Sequence, residues 1–198
     1  MGAFYSVISL HEEGNTMKTV FSLTAAAMMA LSGGVSAASA FSLSSADIPA
    51  DFRLTQQHVF KGFGCSGENI SPQLSWRNSP AGTKSYAITV FDPDAPTGSG
   101  WWHWTMVNIP AQIHDLPTGT DKKTLPAGVV QGRNDFGYAG FGGACPPPGD
   151  KPHRYQFTVW ALNTATLPLD SESSGALVGF MLNAHVIAKA QFTATYGR

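Results

Sequence analysis

Two stretches of strict alternation constrain this chain more than any other feature. In residues 85–92, "SYAITVFD", Tyr86, Ile88 and Val90 fall on one side; in residues 153–162, "HRYQFTVWAL", Tyr155, Phe157, Val159 and Ala161 do the same. A period of two marks a half-buried strand, because successive side chains of a strand point to opposite faces. "HWTMVNIP", closed by Pro110, and "AQFTATY", with Phe192, Ala194 and Tyr196 on one side, read as further strands. Gly, Pro, Asn and Asp turns such as "SPAGTK" and "CPPPGDKP" lie between them. Short strands with abundant turns predict a mainly β fold, a sandwich or a barrel. One segment departs from the pattern. In "SSGALVGFMLNAHVIAKA", Leu177, Phe180, Met181, Ala184, Ile187 and Ala188 stand close to helical spacing, and Ser173 or Ser174 can cap the start. This predicts a C-terminal helix packed on an end or face of the sheets, with Gly175 and Gly179 each weakening it by up to about 1 kcal/mol relative to Ala.

The first forty residues read differently. From Met17, "MKTVFSLTAAAMMALSGGVSAASA" has a positive start at Lys18, an apolar run from Val20 to Leu31, and small residues at Ala38, Ser39 and Ala40. That is the layout of a secretory signal peptide spanning 17–40, with cleavage near Ala40. Gly33 and Gly34 end the apolar run well short of the roughly 20 residues a membrane span needs. The preceding residues 1–16 carry Glu12 and Glu13 where a signal should be basic, so they are expected to be an extension from an upstream start. Residues 41–198 are then one domain, periplasmic or secreted. Of the chain's 12 basic and 13 acidic side chains, only Lys18, Glu12 and Glu13 lie in 1–40, so the remainder is formally neutral. A neutral chain without basic clusters has no field to draw it onto nucleic acid or an anionic membrane. The two cysteines, Cys65 and Cys145, both lie in the expected mature chain. Export predicts a disulfide between them, with two separate buried thiols as the alternative.

Standard catalytic signatures are absent. "GCSGE" lacks the final glycine of a nucleophile elbow, and there is no H-E-x-x-H, C-x-x-C or P-loop. What stands out is a scattered set: Asp92 and Asp94 in "DPDAP", His103 among Trp101, Trp102 and Trp104, His153 with Tyr155 on the same strand face, and Gly140 and Gly142 in "YAGFGGACPP". Taken singly, each has a bland reading as turn chemistry, a strand-end histidine or a loop. Taken together they describe an anion pocket. A carboxylate, most simply Asp92, holds an imidazole in one tautomer. A tyrosine hydroxyl and glycine N–H groups add donors. At least one tryptophan walls the site, and which one is open.

"DPDAPTGSGWWHWTMVNIP", "QGRNDFGYAGFGGACPPPGDKPHRYQFTVWAL" and "SGALVGFMLNAHVIA" resemble the phosphatidylethanolamine-binding protein family, in particular its bacterial YbhB/YbcL-type, Raf-kinase-inhibitor-like branch. The resemblance covers nearly all of 41–198; the signal-like segment and cysteine pair resemble the exported YbcL side of the branch. It implies a β-sandwich, a large antiparallel sheet packed on a smaller one, with C-terminal helical structure. It also implies a pocket for phosphate-like or carboxylate anions. By position in the motifs, Asp92, His103, His153 and Tyr155 match the pocket residues, and Gly140 and Gly142 match the loop whose backbone faces the anion. Asp94 is expected to fix its turn, and Ala95–Pro96 is the candidate for a cis peptide in that loop. The short "TGSG" lacks a pocket tyrosine that longer eukaryotic relatives carry there. The function implied is a small-anion binding protein, with a phosphorylated headgroup as one ligand class and modulation of a protein partner as another role. A homodimer is a further option. No catalytic residue, metal ligand or cofactor is assigned. The alternative is a phosphoester or acyl hydrolase, or a metal-binding protein, using the same Asp and His set.

Overall fold

The computed structural model describes residues 39–121 and 123–198; the expected extension 1–16 and almost all of the signal-like segment 17–40 lie outside the described residues. The elements in chain order are β1 (Ser42–Ser44), a 3-10 turn (Gln56–His58), β2 (Lys61–Gly62), β3 (Cys65–Ser66), β4 (Leu74–Arg77), β5 (Ser85–Asp92), β6 (Trp101–Pro110), β7 (Asp115–Leu116), β8 (Val130–Gln131), β9 (His153–Leu162), α1 (Gly175–His185) and β10 (Val186–Tyr196). A five-stranded sheet, ordered β10-β9-β5-β6-β8, packs on a three-stranded sheet, β1-β4-β7, and β2-β3 is a separate hairpin. All these pairings are antiparallel. The expected sandwich of a large and a small sheet is therefore what forms.

The alternation in β5 and β9 has a direct physical outcome. Tyr86, Ile88 and Val90 of β5, with Tyr155, Phe157 and Val159 of β9, turn toward Leu74 and Trp76 of the small sheet and form the main core. Complete burial of side chains this large contributes roughly 1.5–3 kcal/mol each. The opposite face is also covered. Ala87, Trp160 and Leu162 meet Leu167, Val178 and Leu182 in a second cluster beneath α1. On that face Trp160 donates its indole N–H to Thr89 Oγ1 at 2.9 Å, which satisfies both buried polar groups.

The helix differs from its expected form in two ways. It stops at His185, and Ile187 and Ala188 belong to β10 rather than to a continuing helix. Its buried side is also not the one the large residues define: Leu177 and Phe180 are exposed, whereas Gly175, Val178 and Leu182 are buried. With Gly179, these occupy positions i, i+3, i+4 and i+7, so the packed stripe includes two residues that have no side chain. Trp102 fills the space they leave. Ser174 caps the start, accepting from Leu177 N.

The two glycines make different demands. A Cβ at Gly175 would overlap the Trp102 ring, whereas one at Gly179 would sit at 3.5 Å, an ordinary contact. Gly175→Ala is expected to destabilise by about 1–3 kcal/mol through overpacking. Gly179→Ala should instead be neutral or stabilise by up to about 1 kcal/mol, because the mid-helix glycine penalty is removed. Urea melts of the two variants give the comparison, and equal effects would show that Trp102 moves freely.

Candidate functional site

His103 owes its position to an irregularity in β6. Val90 pairs with Trp104 and Phe91 with Trp102, so His103 is an extra residue opposite the step between them. Such a bulge redirects side chains locally. Without it, Trp102 and Trp104 would share a face. With it, Trp104 enters the main core and donates its indole N–H to Gln131 Oε1 at 2.6 Å. Trp102 packs on the other face, against Gly175 of α1 and, at 4.7 Å between centroids, Phe91. Trp101 is the tryptophan that lines the pocket. The unpaired edge of β6 is taken up by the glycine-rich segment: Gly132 N donates to Thr105 O, Asp135 N to Trp102 O, and Gly142 N to the bulge carbonyl of His103 at 2.8 Å.

The pocket, of about 160 Å³, gathers Asp92, His103, His153 and Tyr155 with Trp101, Phe136 and Phe63, and Ala95, Pro96, Pro146 and Pro147 border it. The strands place these groups. Asp92 ends β5, His103 lies in β6, and His153 and Tyr155 begin β9, beside β5 in the central sheet. His153 Nδ1 lies 2.7 Å from Asp92 Oδ2, and both side chains are about 95 % buried. The second Asp92 oxygen accepts from Asp94 N at 2.8 Å. Asp150 Oδ2 stands 3.4 Å from His153 Nε2, on the outer side. The carboxylate thus orients His153. His103 has a different support: its Nδ1 faces the carbonyls of Gly142 at 2.8 Å and Gly143 at 3.1 Å. Carbonyls only accept, so Nδ1 of His103 carries the proton.

Burial lowers the His103 pKa below the ordinary imidazole value; the carbonyls of Gly142 and Gly143 and the Asp92 and Asp135 charges oppose that shift without overcoming it. His103 is therefore neutral at neutral pH, and its Nε2, without a partner among the described residues, is a bare acceptor. Burial raises the Tyr155 pKa, and Asp92 adds to the effect, so this hydroxyl keeps its proton. The Tyr155 hydroxyl and the Trp101 indole nitrogen are both buried without hydrogen-bond partners, although the Cys145 backbone lies beside the former.

Several expectations need correction. Gly142 serves the site with its carbonyl, and its N–H is committed to His103 O; the neighbouring Gly143 N–H is committed to Asn69 Oδ1 at 2.7 Å. Neither is free to face an anion. Gly140 lines a separate, larger groove of about 770 Å³, together with Gln131, Phe141 and Leu169, away from both histidines. The Ala95–Pro96 peptide is trans, as is every described peptide bond. The reversal is made instead by a tight turn about Pro96, in which Thr97 N donates to Ala95 O at 2.7 Å. Asp94 stands outside the pocket and is gripped by Arg154 through its backbone N–H, Nε and Nη2 at 2.9, 2.9 and 2.7 Å. That contact holds its carboxyl below the usual range. Cys65 and Cys145 form a disulfide.

Phe63, Phe136, Pro146, Pro147 and Asp150 went unnoticed in the sequence. They lie in the loops and turns between the strands, where no periodicity marks them, and the signal that could have flagged Phe63 is its "FG" turn within the "KGFGCS" hairpin. Among the described residues, no group of three or more His, Cys, Asp or Glu is arranged to hold a metal ion. No described helix is long and apolar enough to cross a membrane.

Comparison with known proteins bears on this geometry. The family model described as "Phosphatidylethanolamine-binding protein" matches residues 44–197. The chain is 59 % identical over 183 residues to the UPF0098 protein YbcL of Escherichia coli K12, covering 91 % of this chain and 98 % of that one. It is 51 % identical over 146 residues to YbhB of the same organism, covering 73 % and 92 %. The crystal structure of E. coli YbcL, described as a new member of the mammalian PEBP family, superposes with a TM-score of 0.78 at 62 % identity over 80 % of this chain and 98 % of that one. A PEBP homolog from Chlamydia trachomatis, CT736, superposes with a TM-score of 0.67 at 29 % identity, covering 80 % and 98 %. With its sandwich and most of its length matched in this way, the chain belongs to the phosphatidylethanolamine-binding protein family.

Proposed function

We propose that this is an exported, non-catalytic binding protein whose pocket takes one small oxyanion of phosphate or carboxylate type, free or as the head of a larger partner. The observation that carries this reading is that two of the buried polar atoms without a hydrogen-bond partner belong to residues lining this pocket, together with His103 and its open Nε2: the Tyr155 hydroxyl, which has the Cys145 backbone beside it, and the Trp101 indole nitrogen. Buried polar groups are normally satisfied, and each one left bare costs free energy that a ligand can recover. The two N–H and O–H donors suit an acceptor-rich anion. Against catalysis stands the lack of an activated nucleophile among the described residues of the pocket. The Thr97 hydroxyl at the rim donates to Gly100 O, and the Cys145 sulfur is in the disulfide. Export rests on the signal-like segment alone. A protein partner presenting an anionic side chain would use the same contacts.

The protonation geometry makes a sharp demand. Because Nδ1 of His103 is committed to carbonyls, Nε2 can donate to an anion only after it takes up a proton. Anion binding is therefore coupled to protonation of His103. Its depressed native pKa means that the free protein binds fewer protons than the unfolded chain once pH falls below about 6.5. Stability from this group is fully present above that pH and is lost as pH falls through the native pKa, with a limiting slope of about 1.4 kcal/mol per pH unit. Sulfate, which does not titrate in this range, should reverse the loss. Thermal melts from pH 8 to 5.5 should show stability falling in acid without sulfate and a sulfate-induced gain that grows as pH falls. His103→Asn keeps an N–H for the Gly142 carbonyl but cannot take the extra proton, so it should abolish the growth. A sulfate effect that is absent at every pH, or independent of pH, would overturn the reading.

A further inference from the structure

The turn of the β2–β3 hairpin consists of Phe63 and Gly64, with φ of +52° and +78°. Two central residues with positive φ make the mirror-image turn that favours Asn-Gly, because a side chain at the first position crowds its own backbone. A phenylalanine there is a poor choice for the turn itself. It is also 72 % exposed, so it is a poor choice for the core. Strained positions of this kind cluster at ligand clamps, and the inference runs from the outlier to a function. The location of Phe63 supplies that function, since its ring forms part of the wall of the anion pocket.

The ring is not a loose surface group. It meets Phe136 edge-on at 5.5 Å and Phe60 at 5.9 Å, and Phe136 in turn meets Trp101 at 5.2 Å and His103 at 5.5 Å. The hairpin is tied down at the turn's second residue and directly after it. Cys65 is bonded to Cys145, and the Arg198 guanidinium donates to Gly64 O at 2.7 Å and Pro146 O at 2.6 Å. The exposed ring is thus held at a defined place over the mouth.

The size of the pocket points to the rest. At about 160 Å³ it is smaller than the roughly 300–1,000 Å³ of sites that enclose drug-sized ligands. It holds an anionic head and little more, so anything attached to that head must leave past Phe63, Phe136 and the prolines.

We propose that Phe63 is a specificity lip: it selects anions that carry a flat apolar substituent, such as aryl phosphates, over the bare inorganic anion. The proposal rests on the anion-pocket reading above. Aromatic pairs in offset or edge-on contact add to simple burial, so the expected preference is on the order of tenfold. The test compares phenyl phosphate with inorganic phosphate by titration calorimetry on the oxidised protein, wild type and Phe63→Asn. Asparagine suits the turn better than phenylalanine, so the variant keeps its hairpin, and its melting temperature should not fall. Expected is a wild type that binds phenyl phosphate about tenfold tighter than inorganic phosphate, and a variant that binds the two equally. If wild type binds both anions equally, or the variant keeps the preference, the lip is wrong and the anion pocket stands. If wild type binds neither, both readings fall.

Discussion

Asp92→Ala is expected to remove about 3–5 kcal/mol of stability and to cost the pocket its ordered second imidazole. The buried carboxylate accepts from His153 Nδ1 with one oxygen and from Asp94 N with the other. Its loss strands both donors in the interior, and breaking a buried pair by removing one partner carries a penalty of about that size. At about 2–4 °C per kcal/mol for a chain this long, the melting temperature should fall by roughly 6–20 °C. Asp92→Asn separates the two roles of the carboxylate. The amide oxygen can still accept from Asp94 N, so the turn survives, but the amide nitrogen then faces His153 and favours the other ring tautomer. Nitrogen NMR of the imidazole should show His153 protonated at Nδ1 in the parent and at Nε2 in Asp92→Asn, with a smaller stability loss than in Asp92→Ala. An Asp92→Ala variant that melts within 2 °C of the parent would show that the pair contributes nothing net.

That pair was half visible in the sequence. The residue types and their motifs pointed to Asp92, His103, His153 and Tyr155, and the strands bring all four to one end of the sheet. Which histidine the carboxylate serves was not visible. Proximity in the chain favours His103, eleven residues on, but β5 lies between β6 and β9; His103 turns to the Gly142 and Gly143 carbonyls, and His153, sixty-one residues away, meets Asp92. Strand order is a long-range property that alternation does not encode. The bulge was hidden for the same reason. One extra residue in β6 decides that Trp101 lines the pocket, Trp102 lies under the helix and Trp104 enters the core, and only the register against β5 reveals it.

The long strands of the central sheet were legible because their alternation is long and regular: β5 and β9 begin and end where the pattern does. β2, β3, β7 and β8 are two residues each, too short for any periodicity to register. The helix was found but its packed side was misread, because glycines count as breakers in propensity and have no weight in a hydrophobic stripe. Here Gly175 and Gly179 are the contact surface for Trp102, and a tertiary fit overrides the local preference. The glycine-rich loop shows a related effect. Its N–H groups looked available for an anion, yet they complete the edge of β6 and hold Asn69, and the loop's carbonyls are what fix His103.

Loss of the Cys65–Cys145 disulfide should cost about as much stability as Asp92→Ala, by a different route. The bond joins residues 80 apart. A crosslink of that span restricts the unfolded chain by about 4 kcal/mol in the loop-entropy account. Reduction, or the double change Cys65→Ser and Cys145→Ser, should therefore lower the melting temperature by roughly 8–16 °C. Its functional effect should be narrower than its effect on stability. Asp92, His103 and His153 stand on β5, β6 and β9 of the central sheet rather than on the hairpin, so sulfate should still bind to the reduced protein below its melting temperature. Phe63 stands on the hairpin that the bond secures, and without it the turn is left with the Arg198 contacts and the packing of Phe63 on Phe60 and Phe136. The preference for phenyl phosphate should consequently weaken while the sulfate gain is kept. A reduced protein that melts within 2 °C of the oxidised one would remove the stability argument. One that loses sulfate binding but stays folded would show that the bond supports the floor of the pocket as well as its lip.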